Sequence, residues 1–323
     1  MPTPTPNTGG LQRVAYDMGR ALLRRGHQVT LVGAKGSYLE GAQVIPACAP
    51  VLGALTTSEK AIGKAAFGTE YDVLLDVSHT HQAAYADPKH SVLWHQDVTP
   101  IAEHPRSVFI SDSQRRLVYK DKDGYQVIPN KLLEPPVVNP LMPDGPARRH
   151  DVALFLGNLV PHKGAHLAIY IALKLGVPLW VAGPPLDTTY AERVLSLCDG
   201  EKVLYVGAVN EHEKYRLLSQ ARMTICAPNE GFSRYHETAQ LVAMESAWMG
   251  TPVLASGNGG MSEYVPRETG RCGRNLREML AVAPEVWSWE DRGAVMEYAR
   301  ANFGLDGVMD RWETLLREAA TCS

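Results

Sequence analysis

Two glutamates eight residues apart, Glu237 and Glu245, stand in Tyr235-His-Glu-Thr-Ala-Gln-Leu-Val-Ala-Met-Glu-Ser-Ala-Trp-Met-Gly-Thr-Pro-Val-Leu-Ala255. Composition predicts a helix from about Glu237 to Trp248, closed by Gly250 and Pro252. Eight helical steps give ~12 Å of rise and ~80° of rotation. A glycosidase pair sits closer, with carboxyls ~5–9.5 Å apart. The spacing suits two contacts along one long ligand. A helix N-terminus favours an anion, so Glu237 there would face a neutral hydroxylated group while the next amides hold a phosphate. Glu245, two turns deeper, would accept hydrogen bonds from a second diol. The implied ligand runs sugar, pyrophosphate, ribose. These residues alone leave a plainer reading open, in which one acid stabilises the helix start and the other lies on the surface.

Three other groups carry chemistry. Lys163 follows the apolar run Val152–Leu156, and a lysine at a strand's carboxyl end reaches a pyrophosphate as a point charge; the alternative is a surface lysine at a helix start. His79 and His81 end the run Tyr71–His81, at the kind of strand end where ligands gather. Their His-x-His spacing suggests a metal, but no third ligand has an obvious place nearby. Asp121-Lys-Asp123 is a D-x-D, which before Gly124 reads as a surface turn.

The elements that must position these groups alternate strand and helix. Expected strands are Gln28–Gly33, Gln43–Pro46, one running into a polar loop over Tyr71–His81, a strand and loop over Val92–Asp97, Ser107–Ser111, Gln126–Asn130, Asp151–Gly157, Pro178–Gly183, Lys202–Gly207, Arg222–Ala227 and one from Val253. Strand–helix–strand at this spacing makes βαβ units and parallel sheets. Near the N-terminus, Leu11, Val14, Ala15, Met18 and Leu22 form one helix face. Gly9-Gly10 before it allows a backbone to approach a phosphate or sugar, or simply opens the helix. Met1–Gly10, with three prolines, cannot be a central strand. Asp112 or Ser113 is the expected cap of the helix after Ser111. Helices are expected over Glu211–Ala221, Trp287–Asn302 and Leu305–Ala320. The arginines Arg13, Arg20, Arg24 and Arg25 read as a solvated face.

Glu237-x7-Glu245 followed by Gly250-Thr-Pro-Val, together with Lys163-Gly164, resembles the retaining GT-B glycosyltransferases of family 4. The resemblance spans nearly the whole chain and lacks only the first strand. It implies an α/β GT-B fold, with two Rossmann-like domains facing a central cleft and a C-terminal helix crossing back to the N-terminal domain. The domains would be 1–145, acceptor-side; 146–302, nucleotide-sugar-binding; and 303–323, the returning helix. The Pro-rich stretch Glu134–Pro146 would link the first two.

Carried over, Glu237 meets the donor sugar, Glu245 the ribose, and the backbone of Thr238, Ala239, Gln240 and Leu241 the distal phosphate. Lys163 stabilises the leaving diphosphate. His79, with His81 as alternative, meets the transferred sugar. Gly9 and Gly10 touch donor phosphate and acceptor, Val209 the base, and His95 and Asp97 the acceptor. The family's Gly-Arg becomes Gly157-Asn158 here, which removes one phosphate cation; Arg234 is a candidate substitute.

The implied activity is metal-free, retaining transfer from a nucleoside-diphosphate sugar to a hydroxyl, with no cofactor. The acceptor class (sugar, lipid or natural product) and the base stay open. The alternative is a catalytically impaired protein that binds a nucleotide sugar. A phosphorylase would need a pyridoxal phosphate lysine and a longer chain. A Rossmann oxidoreductase would need G-x-G-x-x-G after a strand.

The bulk numbers agree with this class. A chain of 323 residues is long enough for two domains. Its net charge of −3 carries no footprint of a nucleic-acid partner. Five cysteines without C-x-x-C or zinc spacing suggest reduced thiols and a cytoplasmic setting. No run has membrane-span length, which leaves peripheral membrane contact open.

Overall fold

The computed structural model describes residues 2–3, 10–50, 55–99, 102–120, 124–133, 141–142, 145–146, 150–228 and 237–322. These fall into two compact units. The first holds 10–133 and 304–322; the second runs to residue 303 and includes the segment after 133. The sequence expectation put that first division at 145/146. The short antiparallel pair Leu141–Met142 (β7) and Gly145–Pro146 (β8) instead clusters with the second unit.

In the first unit, Gly10–Arg24 (α1) buries Val14 and Met18 of the predicted face, leaves Leu11, Ala15 and Leu22 half-buried, and buries Ala21 beside them. Strands Thr30–Ala34 (β1) and Gln43–Cys48 (β2) pair in parallel, and Leu55–Phe67 (α2) follows. Then come Leu74–Asp76 (β3), Gln82–Ala86 (α3), Ser91–Trp94 (β4), Ser107–Phe109 (β5), Asp112–Tyr119 (α4) and Gln126–Val127 (β6). Strands β3 to β6 form a parallel sheet in chain order. Every residue of β4 and β5 is buried, which is why they read as short unbroken runs rather than alternating ones. Ser111, not Asp112 or Ser113, caps α4. Its extended backbone lets Oγ accept the Gln114 N–H at 3.2 Å.

The second unit runs Ala153–Leu156 (β9), a 3-10 turn Pro161–Lys163, Ala165–Leu175 (α5), Leu179–Ala182 (β10), Thr188–Leu195 (α6), Val203–Gly207 (β11), Glu211–Gln220 (α7) and Met223–Cys226 (β12). It continues with Leu241–Trp248 (α8), Val253–Ser256 (β13), Met261–Tyr264 (α9), Gly270–Gly273 (β14), Leu276–Trp287 (α10) and Arg292–Phe303 (α11). All six strands of its main sheet are parallel, in the order β11-β10-β9-β12-β13-β14. Chain direction across the sheet therefore reverses between β9 and β12, the doubly wound arrangement whose ligands collect at that switch point. Along β9, Ala153 and Phe155 join a core with α5 and α10, while Leu154 faces Tyr215, Leu217 and Leu218 of α7.

Two helix expectations are corrected. Helix α8 starts at Leu241, four residues after Glu237, because Gln240 has extended dihedrals of φ −116° and ψ 114°. The helical spacing inferred for the two acids therefore does not apply. Trp287 ends a helix rather than opening one. Pro284 lies inside α10, which forms nonetheless because Met279, Ala283 and Val286 are buried on one face.

The last helix, Asp306–Ala320 (α12), belongs to the first unit. Its buried Trp312 packs on Trp94 with ring centroids 4.7 Å apart, and Arg25 reaches Asp310 at 2.6 Å. Among the described residues no helix is long and apolar enough to cross a membrane.

Candidate functional site

The switch point of the second unit gathers Lys163 and Glu237, 74 positions apart in the chain. Lys163 lies after β9 and Glu237 after β12. Lys163 closes the 3-10 turn, and Gly164 behind it has φ 74°. A Cβ on Gly164 would stand 1.7 Å from the Ala227 carbonyl oxygen. Only a glycine permits this approach, and it sets the lysine beside the end of β12. Lys163 Nζ donates to Glu237 Oε2 at 2.6 Å, and Gln240 Nε2 donates to the same oxygen at 2.8 Å. Glu237 is 3% exposed, and its carbonyl accepts the Gly260 N–H at 2.9 Å. Burial, with Lys163 adjacent, lowers the pKa of the neighbouring His162. Burial raises the thiol pKa of Cys226, which ends β12, so no thiolate nucleophile stands there.

Residues 237–240 lie outside any helix or strand, with Thr238 and Gln240 buried and Ala239 and Leu241 half-buried. Gln240 is the N-cap residue of α8 but makes no side-chain cap, because its amide is turned to Glu237. The first-turn amides of α8 thus have no side-chain cap from Gln240, a setting suited to an anion.

Glu245 lies in the second turn of α8 and is 4% exposed. Lys214 Nζ donates to its Oε1 at 2.6 Å and Tyr215 Oη at 3.2 Å. The sequence reading missed both partners. Lys214 stands among Glu211, Glu213 and Arg216 with no periodic signal to single it out. Asn158 and Val209 are half-buried, and Val209 packs against the core of β9, β10 and α7. Gly10 opens α1. Gly9, Arg234 and Asp121–Asp123 lie outside the described residues.

In the first unit, His79 and Asp97 meet beyond the ends of β3 and β4. His79 Nδ1 is 2.5 Å from Asp97 Oδ2. Glu59, buried on α2, accepts the N–H of His79 at 2.9 Å and of Thr80 at 2.8 Å. The Asp97 hydrogen bond raises the His79 pKa against the opposing effect of burial. Burial would raise Asp97, but hydrogen bonds from His79 and Thr99 outweigh it and hold Asp97 at about 2.

His95 is placed otherwise than expected. It is 2% exposed and stacks on Phe109 at 4.3 Å, so it lies inside an aromatic cluster rather than lining an acceptor surface. Burial pushes it down to about 3. His81 is also buried, at φ 49°, with Nδ1 3.6 Å from Asp76. Of the two histidines at that strand end, His79 is the more accessible.

Residues 144–273 match the family Glycosyl transferases group 1. The second unit thus carries a glycosyl transferases group 1 domain whose matched stretch contains Lys163, Glu237, Lys214 and Glu245. The chain has no match among curated proteins. The structure is similar to AviGT4, a glycosyltransferase involved in avilamycin A biosynthesis, with TM-score 0.80 and 24% identity over 100% of this chain and 94% of that one. It is similar to sucrose-phosphate synthase from Thermosynechococcus elongatus, with TM-score 0.73 and 16% identity over 99% and 97%. HepE of Anabaena, solved with UDP-glucose, gives TM-score 0.69 and 15% identity over 96% and 97%. These likenesses show the fold, a mixed α/β structure with parallel sheets of the GT-B kind.

Proposed function

We propose that the protein is a metal-free retaining glycosyltransferase of the family 4 type, moving a sugar from a nucleoside-diphosphate sugar to a hydroxyl acceptor. The observation that carries this reading is the meeting of Lys163 and Glu237 at the switch point, just ahead of the α8 N-terminus. One oxygen of Glu237 is held by Lys163 and Gln240, which fixes the carboxylate to accept from a sugar hydroxyl. The Lys163 ammonium and the first-turn amides of α8 offset negative charge as the diphosphate departs. Glu245 accepts from the ribose. The anomeric C–O bond to phosphate breaks, the acceptor oxygen bonds on the same face, and its proton passes to the departing phosphate. His79, oriented by Asp97, is proposed to meet the transferred sugar, and Asp97 with the loops beyond β3 and β4 to serve the acceptor side. A sugar, lipid or natural-product acceptor fits, as does peripheral membrane contact of a cytoplasmic protein.

Asn158, where the resemblance expects an arginine, favours the second reading: a protein that binds the donor without turning it over.

The test is calorimetric titration with UDP, GDP, ADP, dTDP and their sugar conjugates, with and without EDTA, followed by release of nucleoside diphosphate and the anomeric configuration of the released sugar. Binding unchanged by EDTA and release with retention support transfer. Binding without release favours the second reading. Glu237→Gln is expected to cut release and leave nucleotide affinity nearly intact, while Glu245→Ala weakens the nucleotide. Equal loss of nucleotide affinity in both variants would overturn these roles.

A further inference from the structure

Glu245 does not reach solvent alone. Its carboxylate is 5% exposed, whereas the side chain of Lys214, hydrogen-bonded to it, is 20% exposed. The two come from facing helices, α7 and α8, and Lys214 also lies over the Tyr215 ring at 4.5 Å. The first turn of α7 is rigidly built. Asn210 and Glu213 form a reciprocal capping box, and the Lys214 N–H donates to the Asn210 carbonyl at 2.9 Å. Lys214 therefore stands one turn beyond Val209, at the outer end of a preorganised pair.

We propose that Lys214 is a specificity-determining residue of the nucleotide subsite, gripping a ribose cis-diol jointly with Glu245. The inference rests on the proposed ribose role of Glu245 and extends it. An ionised carboxylate only accepts hydrogen bonds. A diol presents two O–H donors but also oxygens that need donors of their own. An ammonium carries three N–H groups, and among the described residues Glu245 is the one acceptor that Lys214 contacts. One N–H holds the carboxylate, and the others are available to a hydroxyl oxygen at the pair's exposed end. The couple thus matches a diol in both polarities, and a sugar lacking both hydroxyls would give the remaining ammonium N–H groups no acceptor on the ligand. The competing structural role is that Lys214 only neutralises a buried acid.

The test is titration of the full chain with UDP and with 2′,3′-dideoxy-UDP; if GDP or ADP binds more tightly, that nucleotide and its dideoxy counterpart replace them. The wild-type protein is expected to prefer the ribonucleotide by about 100-fold. Lys214→Met is expected to shrink that preference by about tenfold, through weaker binding of the ribonucleotide, as loss of a charge-assisted hydrogen bond implies. Lys214→Arg, which keeps charge and donors, is expected to retain a larger preference than Lys214→Met. If Lys214→Met does not fold, Lys214→Gln takes its place with the same expectation. An unchanged preference, whether affinities stay the same or fall together, overturns the proposal and leaves Lys214 a structural counter-ion. A wild-type protein that binds nucleotide with no ribose preference overturns it together with the role of Glu245. A wild-type protein that binds only dTDP, whose sugar has no 2′-hydroxyl, overturns the diol grip alone, and one that binds none of UDP, GDP, ADP and dTDP overturns the proposed function itself.

Discussion

Gly164→Ala compared with Gly176→Ala tests whether the approach of the Lys163 turn to β12 is a real constraint. Both glycines bound α5, with φ 74° and ψ 31° at Gly164 and φ 76° and ψ 23° at Gly176. An alanine at either position therefore carries the same left-handed backbone cost of about 1–2 kcal/mol. Their surroundings differ. A Cβ at Gly176 meets nothing within 4 Å, whereas one at Gly164 stands 1.7 Å from the Ala227 oxygen and 2.8 Å from its carbonyl carbon. The oxygen distance is roughly 2 Å short of ordinary van der Waals contact. The backbone on one side must move, adding about 1–3 kcal/mol of overpacking strain. The expected losses are about 1–2 kcal/mol at Gly176 and about 2–5 kcal/mol at Gly164, out of a typical 5–15 kcal/mol. At about 2–4 °C per kcal/mol for a unit of this size, Gly164→Ala lowers Tm by roughly 4–20 °C and Gly176→Ala by roughly 2–8 °C. Urea unfolding of both variants measures the losses. Nucleotide titration adds a second readout, because Lys163 precedes Gly164 and must move with it. Losses within about 0.5 kcal/mol of each other would refute the argument.

Acid should destabilise the first unit before its carboxylates titrate. Folded His95 protonates only near 3, against an ordinary value of 6.5 in the unfolded chain. The unfolded chain then binds more protons, so the stability is complete above about pH 6.5 and falls by about 1.4 kcal/mol per pH unit below it. His104, lowered mainly by burial, acts in the same direction. His95→Phe is expected to flatten this limb in urea unfolding at about pH 5, 6 and 7; an equally steep limb in the variant would count against the assignment. Asp97→Asn removes the main cause that raises His79. Its imidazole pKa, followed by NMR titration, is expected to fall, and no change would mean that Asp97 does not orient His79.

Local pattern made much of the donor-side unit legible. The buried runs at β9, β10, β12 and β13 showed where strands lie, and Gly250 marked a helix end. Glu237 and Lys163 drew notice by residue type at a helix start and a strand end, and Glu245 by its eight-residue spacing from Glu237. What failed did so for identifiable reasons. Helix propensity from Glu237 onward was overridden where Glu237 is tied to Lys163 and Gln240, and the helix starts only after the extended Gln240. Helix α10, with Pro284 inside it, was not among the expected helices; the burial of Met279, Ala283 and Val286 belongs to the packed chain. His95 looked like a loop histidine because a sequence does not show that Phe109 lies against its ring.

The sequence by itself determined the alternation of strand and helix, the parallel sheets that follow from it, and which residue types stand at strand ends. These are consequences of short-range periodicity and backbone preference. Only the tertiary structure decided which of those residues meet. Lys163 and Glu237 pair because β9 and β12 are neighbours across the point where strand order reverses, and Lys214 reaches Glu245 because α7 packs on α8. His79 meets Asp97 because β3 and β4 end side by side. Contacts between residues tens of positions apart depend on sheet order and on desolvation, quantities that belong to the folded chain and have no counterpart in any local window of residues.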